Sequence, residues 1–282
     1  MISTSNKPRH QKKSPPDNEL ILPRSKISKF KSKDAVTPML NAALKAHKPE
    51  KDFPLREICN PINSPGHDLA KALFQLHKGY VGNTKTFLKN GSEFVEIMKT
   101  NRFNKGGVHV SFDADLLYPS LIVEKGLQIL NEKSIADKEL HQRTDLSKEE
   151  IMRLTYLCTS SSFFQCEHGI FSQTKGEPIG GPLSGLLGDL VLENKIEKVV
   201  STHPKWGKMW DWVRKADDTF MEWCSSLEDL EEFHSYLNNL HPTIKWSKEI
   251  QKEDRLNFLD VLVIRKDQFI ETTVYKKPSA SN

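Results

Sequence analysis

The chain has 282 residues, 37% hydrophobic and 28% charged, which supplies the core of one large or two modest domains and excludes a disordered or fibrous protein. Forty-one Lys and Arg against 37 Asp and Glu leave a net charge of only +4, so bulk charge alone does not demand a nucleic-acid partner. No apolar leader opens the chain and no run of about 18 apolar residues occurs in it, which predicts an intracellular protein without membrane association.

Residues 1–34 carry nine Lys or Arg, three acids and four prolines. This composition predicts a flexible basic N-terminal arm, serving phosphate contact or nuclear import, or simply solvated. Between Thr37 and Pro65, five prolines interrupt short apolar stretches, which predicts loop and short strand. Leu69, Ala72, Leu73 and Leu76, then Phe94, Val95 and Met98, keep helical spacing, so two helices are expected around a Gly/Asn-containing connection. Val108, Val110 and Phe112 alternate out of two glycines, a strand running into Asp113 and stopped by Pro119. "LIVEKGLQIL" reads as helix, and "LSKEEIMRLTYLC" opens on a capping box, Ser147 with Glu150, before Ile151, Leu154 and Cys158 on one helical face.

Two strand-like runs follow, joined through His168-Gly169, and then "GGPLS" leads into an amphipathic helix whose buried stripe is Leu183, Leu186, Leu187, Leu190 and Val191. "KMWDWVRKADDTFMEWC" reads as strand, tight turn, strand, with Asp217 and Asp218 at the turn. Leu227, Leu230, Phe233 and Leu237 mark a further helix, and a hairpin turned at Lys266-Asp267-Gln268 closes the chain. Cys59, Cys158, Cys166 and Cys224 have no C-x-x-C spacing, which argues against zinc and against a disulfide framework. Strand, helix, hairpin, helix, strand is close to the split βαβ order, so an α+β fold is expected, with an antiparallel sheet backed by helices.

That order has a chemical consequence. A central strand ending at Asp113 can lie beside the hairpin bearing Asp217 and Asp218, bringing together carboxylates about a hundred residues apart. The adjacent aspartates either face water in an ordinary turn or hold metal, since convergent like charges need a cation to offset their repulsion. Convergent carboxylates suit Mg²⁺ when substrate phosphates complete its shell, and a pair of such ions serves polymerase or nuclease chemistry.

These residues also carry a family resemblance. "LKAHKPEKDFPLREI", "SPGHDLAKAL", "VSFDADLLY", "QTKGEPIGGPLSGLLGDL", "RKADDTF" and "FLDVLVIRKDQFIETTVYKKP" resemble, in order, segments of the reverse transcriptase domain of Penelope-like retroelements, relatives of telomerase reverse transcriptase. The likeness runs from about residue 40 to the end. It implies a right-hand polymerase with fingers at 35–107, a palm at 108–282 carrying a fingers insertion at about 131–175, and no thumb. It implies an RNA-directed DNA polymerase of a retrotransposon, working in the nucleus on an RNA template, a DNA primer and dNTPs. Asp113 and Asp217 would ligate two Mg²⁺ ions (Mn²⁺ substituting), with Asp218 the neighbouring acid. Tyr118 would lie beneath the incoming sugar and reject a 2′-OH, or serve only as a buried strand aromatic. Gly180, Gly181 and Pro182 match the motif that supports templating base and nucleotide.

The same resemblance places Lys45 and Arg56 at fingers positions that hold the triphosphate, and Lys276 and Lys277 near primer phosphates; all four also read as ordinary surface cations. Lys215 stands where the family has an aromatic, removing a packing element and adding a cation near phosphate. Family members commonly continue into a thumb and often an endonuclease domain, whereas this sequence stops at Asn282. Two other readings follow. One is an inactive remnant that only binds nucleic acid. The other is a two-metal nuclease or cyclase, which needs the acids but not Tyr118.

Overall fold

The computed structural model describes residues 21–30, 34–44, 55–100, 104, 106–266 and 269–276. Lys45, Lys277, the side chain of Arg56, the first 20 residues and the hairpin turn at 267–268 lie outside the described residues.

Strand β1 (Leu40–Leu44) pairs antiparallel with β2 (Leu55–Cys59), and helices α1 (His67–His77) and α2 (Gly91–Thr100) follow. The central strand β3 (Val108–Asp115) leads into α3 (Val123–Ala136), the short α4 (Leu140–Arg143) and α5 (Lys148–Ser160). The hairpin β4 (Phe163–Cys166) and β5 (Gly169–Ser172) precedes α6 (Ser184–Val191). A π turn, Leu192–Glu197, carries that helix on into α7 (Lys198–Val200). Then come β6 (Met209–Lys215), β7 (Asp218–Trp223), α8 (Leu227–Asn239), β8 (Lys245–Ile250), β9 (Arg255–Phe258), β10 (Val261–Lys266) and β11 (Phe269–Val274).

Four strands form one antiparallel sheet in the order β6-β7-β3-β8, which is the split βαβ arrangement expected from the element order. Its fourth strand is β8, a segment the sequence reading passes over. Separately, β9, β10 and β11 make a three-stranded antiparallel sheet, so the closing hairpin has a third partner.

Alternation along β3 explains the layering. Val110, Phe112 and Ala114 point into a core shared with Met221 and Trp223 of β7, Leu130 of α3, Ile151 of α5, Leu186 and Leu190 of α6, and Phe233 of α8. Each Val, Leu, Ile, Phe or Met among them contributes about 1.5–3 kcal/mol by leaving water. The opposite face of the sheet is also partly covered: Phe220 meets Phe94 of α2 at 4.9 Å and Phe258 of β9 at 5.5 Å between ring centroids. The capping box at Ser147 and Glu150 is present and starts α5.

The arm boundary is corrected by the fold. Leu22 is fully buried, Ile21 and Leu22 donate their amides to the Arg143 carbonyl, and Arg24 forms a two-pronged ion pair with Glu150. Residues 21–30 are therefore seated on the fold, with Leu22 buried and Ile21, Ile27 and Phe30 packed against the same core.

Candidate active site

The register of the sheet builds the site. Lys215 lies opposite Asp218, Asp218 opposite Asp113, and Asp113 opposite Ser247, so one row across four strands reads Lys215, Asp218, Asp113, Ser247. Cross-strand partners project to the same face, and Phe112 and Ala114 on either side of Asp113 point to the helical core. The two acids are half-buried, at the end of the face that α2 and β9 leave open. Only Asp217 lies in the turn, which is Ala216-Asp217; Asp218 already opens β7, a correction to the expectation that both aspartates sit at the turn. The Ala114 amide donates to the Asp217 carbonyl at 3.1 Å, tying the turn to β3. Ala216 holds a left-handed backbone, φ 52°, which an L-residue adopts at a cost of about 1–2 kcal/mol.

Tyr118 follows on the loop after β3, half-buried. Its ring packs against α6 so closely that a Cβ on Gly188 would stand 3.2 Å from it. Burial pushes the Tyr118 hydroxyl up to about 12, and the neighbouring Asp217 and Asp189 carboxylates push the same way. The structure thus brings Tyr118 to the Asp217 turn.

The Gly-Pro segment approaches from the other side. The Glu177 amide donates to the Tyr118 carbonyl at 2.8 Å, and Ser184, which opens α6, bonds the Pro178 carbonyl at 2.8 Å and the Glu177 carboxyl at 3.3 Å. Glu177 is buried and its carboxyl is pushed up to about 8 by that burial. Gly180 is left-handed (φ 104°), and a Cβ there would lie 3.3 Å from the Cys59 carbonyl of β2, so the backbone it meets closely is the protein's own. Pro182 precedes the helix by two residues. A cavity of about 470 Å³ opens beside Gly181, Pro182, Glu177 and the prolines of the β2–α1 connection, and none of the three aspartates lines it.

Gly176 shows how tightly this segment sits. It has φ 65°, and an added Cβ would fall 2.2 Å from the Pro119 carbonyl. Gly176→Ala is therefore expected to lower stability by on the order of 2 kcal/mol, read from urea unfolding; an unchanged midpoint would mean the Tyr118–Glu177 contact yields freely.

Two features escaped the sequence reading. Phe87 bridges to the edge of β6 at Arg214, and the Lys215 ammonium lies 5.6 Å above its ring, a cation–π contact. An aromatic ring therefore stands against Lys215, supplied by a different segment. Arg214, beside Lys215, is buried among Asp189, Glu193 and Glu197. Lys276 is exposed, beyond the end of β11.

The donor chemistry can be tested against a divalent ion. Among the described residues, no group of three or more His, Cys, Asp or Glu side chains is arranged to hold a metal by itself. Mg²⁺ commonly takes one or two carboxylates and fills its octahedron with water and substrate phosphate. Asp113 with an acid of the turn fits that requirement. Among the described residues, no helix is long and apolar enough to cross a membrane.

No protein-family model matches the chain, and no curated protein matches it. Solved structures do. The telomerase from Candida albicans in complex with the TWJ fragment of telomeric RNA is 12% identical with a TM-score of 0.60, over 90% of this chain and 48% of that one. An RNA-dependent RNA polymerase described with vp4 and dsRNA is 12% identical with a TM-score of 0.58, over 86% of this chain and 22% of that one. The BmCPV RNA-dependent RNA polymerase at its quiescent state is 11% identical with a TM-score of 0.53, over 85% and 22%. The chain thus spans about half of the telomerase and about a fifth of the other two. At these identities the likeness is one of fold: a mixed α/β fold with antiparallel sheets, shared with nucleic-acid polymerases.

Proposed function

We propose that this chain is the fingers and palm of a retrotransposon reverse transcriptase of the Penelope-like type, adding dNTPs to a primer 3′-OH on an RNA template. The observation that carries the reading is the pairing of Asp113 with Asp218 in the sheet, with Asp217 in the adjoining turn and Tyr118 beside it. The polymerase-like fold supports it, as does the ordered sequence resemblance. In this reading residues 108–282 are the palm, with 35–107 and about 131–175 contributing fingers.

Asp113 and Asp217 hold two divalent cations, with Asp218 the neighbouring acid. When bound, the ions neutralise charge on the attacking and leaving oxygens of the displacement. The chain's own contribution is position. The sheet fixes Asp113 relative to the turn, and Tyr118, whose ring packs against α6, is the residue that would reject a ribose 2′-OH in this reading.

Primer extension on an RNA template, with dNTPs and NTPs compared in separate reactions, tests the proposal. Incorporation of dNTPs is expected, and a preference for NTPs would instead indicate an RNA polymerase. Tyr118→Ala is expected to relax sugar discrimination by about tenfold or more, since one well-placed contact is worth about 1–3 kcal/mol. Unaltered discrimination would remove Tyr118 from the nucleotide site.

A second reading, an inactive remnant that binds nucleic acid, is favoured by Lys215 in the acidic row. It predicts salt-sensitive RNA binding without incorporation.

A further inference from the structure

We propose that Arg214 is the positioning residue for the Asp217 turn, fastening it to the helix formed by α6, the π turn and α7. Its catalytic meaning rests on the reading of Asp217 as a metal-binding acid; the fastening itself does not.

The guanidinium is buried and every one of its nitrogens is used. Nε donates to Glu197, Nη2 to Glu193 at 3.5 Å, and Nη1 to both Asp189 at 2.6 Å and the Ala216 carbonyl at 2.9 Å. Burial pulls the Arg214 pKa down, but Glu197 and Asp189 outweigh it, so the group stays charged. The acids are themselves anchored: Glu193 accepts from the Gly82 amide at 2.7 Å, and Glu197 from the Thr86 hydroxyl at 2.5 Å. The backbone of Arg214 is pinned too, its amide donating to Thr86 at 2.6 Å and its carbonyl accepting from Leu88 at 2.8 Å.

The bond to Ala216 is the part that reaches the site. Ala216 is left-handed, a conformation a non-glycine residue keeps only when its surroundings impose it. Arg214 grips the carbonyl of the Ala216–Asp217 peptide, before Asp217, and Ala114 donates to the carbonyl of the Asp217–Asp218 peptide, after it. Asp217 is thus clamped fore and aft, and its carboxylate inherits that orientation. The geometry requires Arg: a planar fork reaches four oxygens in different directions, whereas a lysine ammonium presents its three donors from a single point. It also requires the spacing of Asp189, Glu193 and Glu197, four residues apart and carried round to one guanidinium by a helix that changes to π geometry at Leu192–Glu197.

The test uses the full chain with Arg214→Lys and, separately, Asp189→Asn, which keeps the guanidinium between Glu193 and Glu197. The primary readout is exchange of the Ala114 amide by NMR, with the Gln251 amide, which donates to the His109 carbonyl elsewhere on β3, as internal reference. Arg214→Lys is expected to speed Ala114 exchange by about tenfold or more and leave Gln251 within about twofold. The same variant is expected to lower kcat for incorporation by about tenfold or more while KM for dNTP stays within about twofold, because misplacement affects the reacting geometry more than nucleotide binding. Ala114 exchange equal to wild type would overturn the proposal, as would equal acceleration at both amides, which signals general loosening. If Arg214→Lys does not fold, Asp189→Asn, which removes the carboxylate that shares Nη1 with Ala216, is expected to speed Ala114 exchange about threefold or more over Gln251, and exchange equal to wild type would overturn the proposal. A wild-type protein that incorporates nothing overturns the polymerase reading, and the exchange result still judges the clamp.

Discussion

Asparagine at Asp113 or at Asp217 is expected to lower Mg²⁺-dependent incorporation by about a thousandfold or more, because bound metal supplies several kcal/mol of charge stabilisation and each 1.4 kcal/mol is about a factor of ten. The same change at Asp113 is expected to leave the fold slightly more stable. Asp113 and Asp218 face each other across β3 and β7, and like charges directly opposite in a sheet are destabilising by about 0.2–1 kcal/mol. A small rise in Tm accompanying a large loss of activity marks carboxylates kept for function at the expense of stability. Single-nucleotide incorporation together with thermal unfolding reads both quantities. Activity surviving either substitution would remove the catalytic assignment, and a large drop in Tm would make the pair a structural element.

Glu177 is expected to dominate the pH dependence of stability between about 4.5 and 8. Its folded-state pKa is raised by burial from the ordinary 4.5 to about 8. The carboxyl is protonated in both states below 4.5; between 4.5 and 8 the unfolded chain releases the proton while the folded chain retains it. Stability therefore falls with rising pH by about 1.4 kcal/mol per unit across that window and levels off above 8. From pH 5 to pH 8 the loss from this group is on the order of 3 kcal/mol. His77 and His109 act in the opposite direction: burial pulls each down to about 4, so their contribution is present above about 6.5 and is lost as pH falls toward 4. Urea unfolding of wild type and Glu177→Gln at pH 5 and pH 8 separates the terms, since glutamine does not titrate. The variant is expected to flatten the fall in stability from pH 5 to pH 8, and identical slopes would show that Glu177 ionises freely.

Elements with local signals were legible in the sequence. The capping box at Ser147, the leucine stripe of α6 and the alternation of Val108, Val110 and Phe112 each commit a segment to one structure before any tertiary contact forms. The juxtaposition of Asp113 with the hairpin aspartates was legible because the order of elements constrains which strands can be neighbours. Strand β8 was not. "KWSKEI" places only Trp246 in a buried position, and its identity as a strand comes from pairing with β3. Leu22 was hidden for a similar reason, because Ile21, Leu22, Ile27 and Phe30 are interspersed with Arg24, Lys26 and Lys29 in a stretch whose composition argues for solvent. The acids around Arg214 carried no usable signal either: at intervals of four on a helix they read as a solvated face until the buried cation opposite them is known. Phe87 stands 128 residues before Lys215 in the sequence, and only the chain path brings them together.

The π turn in the helix after α6 has one more consequence. A helix that shifts from α to π geometry holds an extra residue within its turn, so the acids on either side of it are phased by length as well as by identity. Exchanging single side chains leaves that phase intact. Removing one residue from Leu192–Glu197 would let the helix relax into regular α geometry and turn Glu197 by roughly 100° away from its present bearing. The electrostatics of this site is thus written partly in residue count, and deletions are the changes to which it is most exposed.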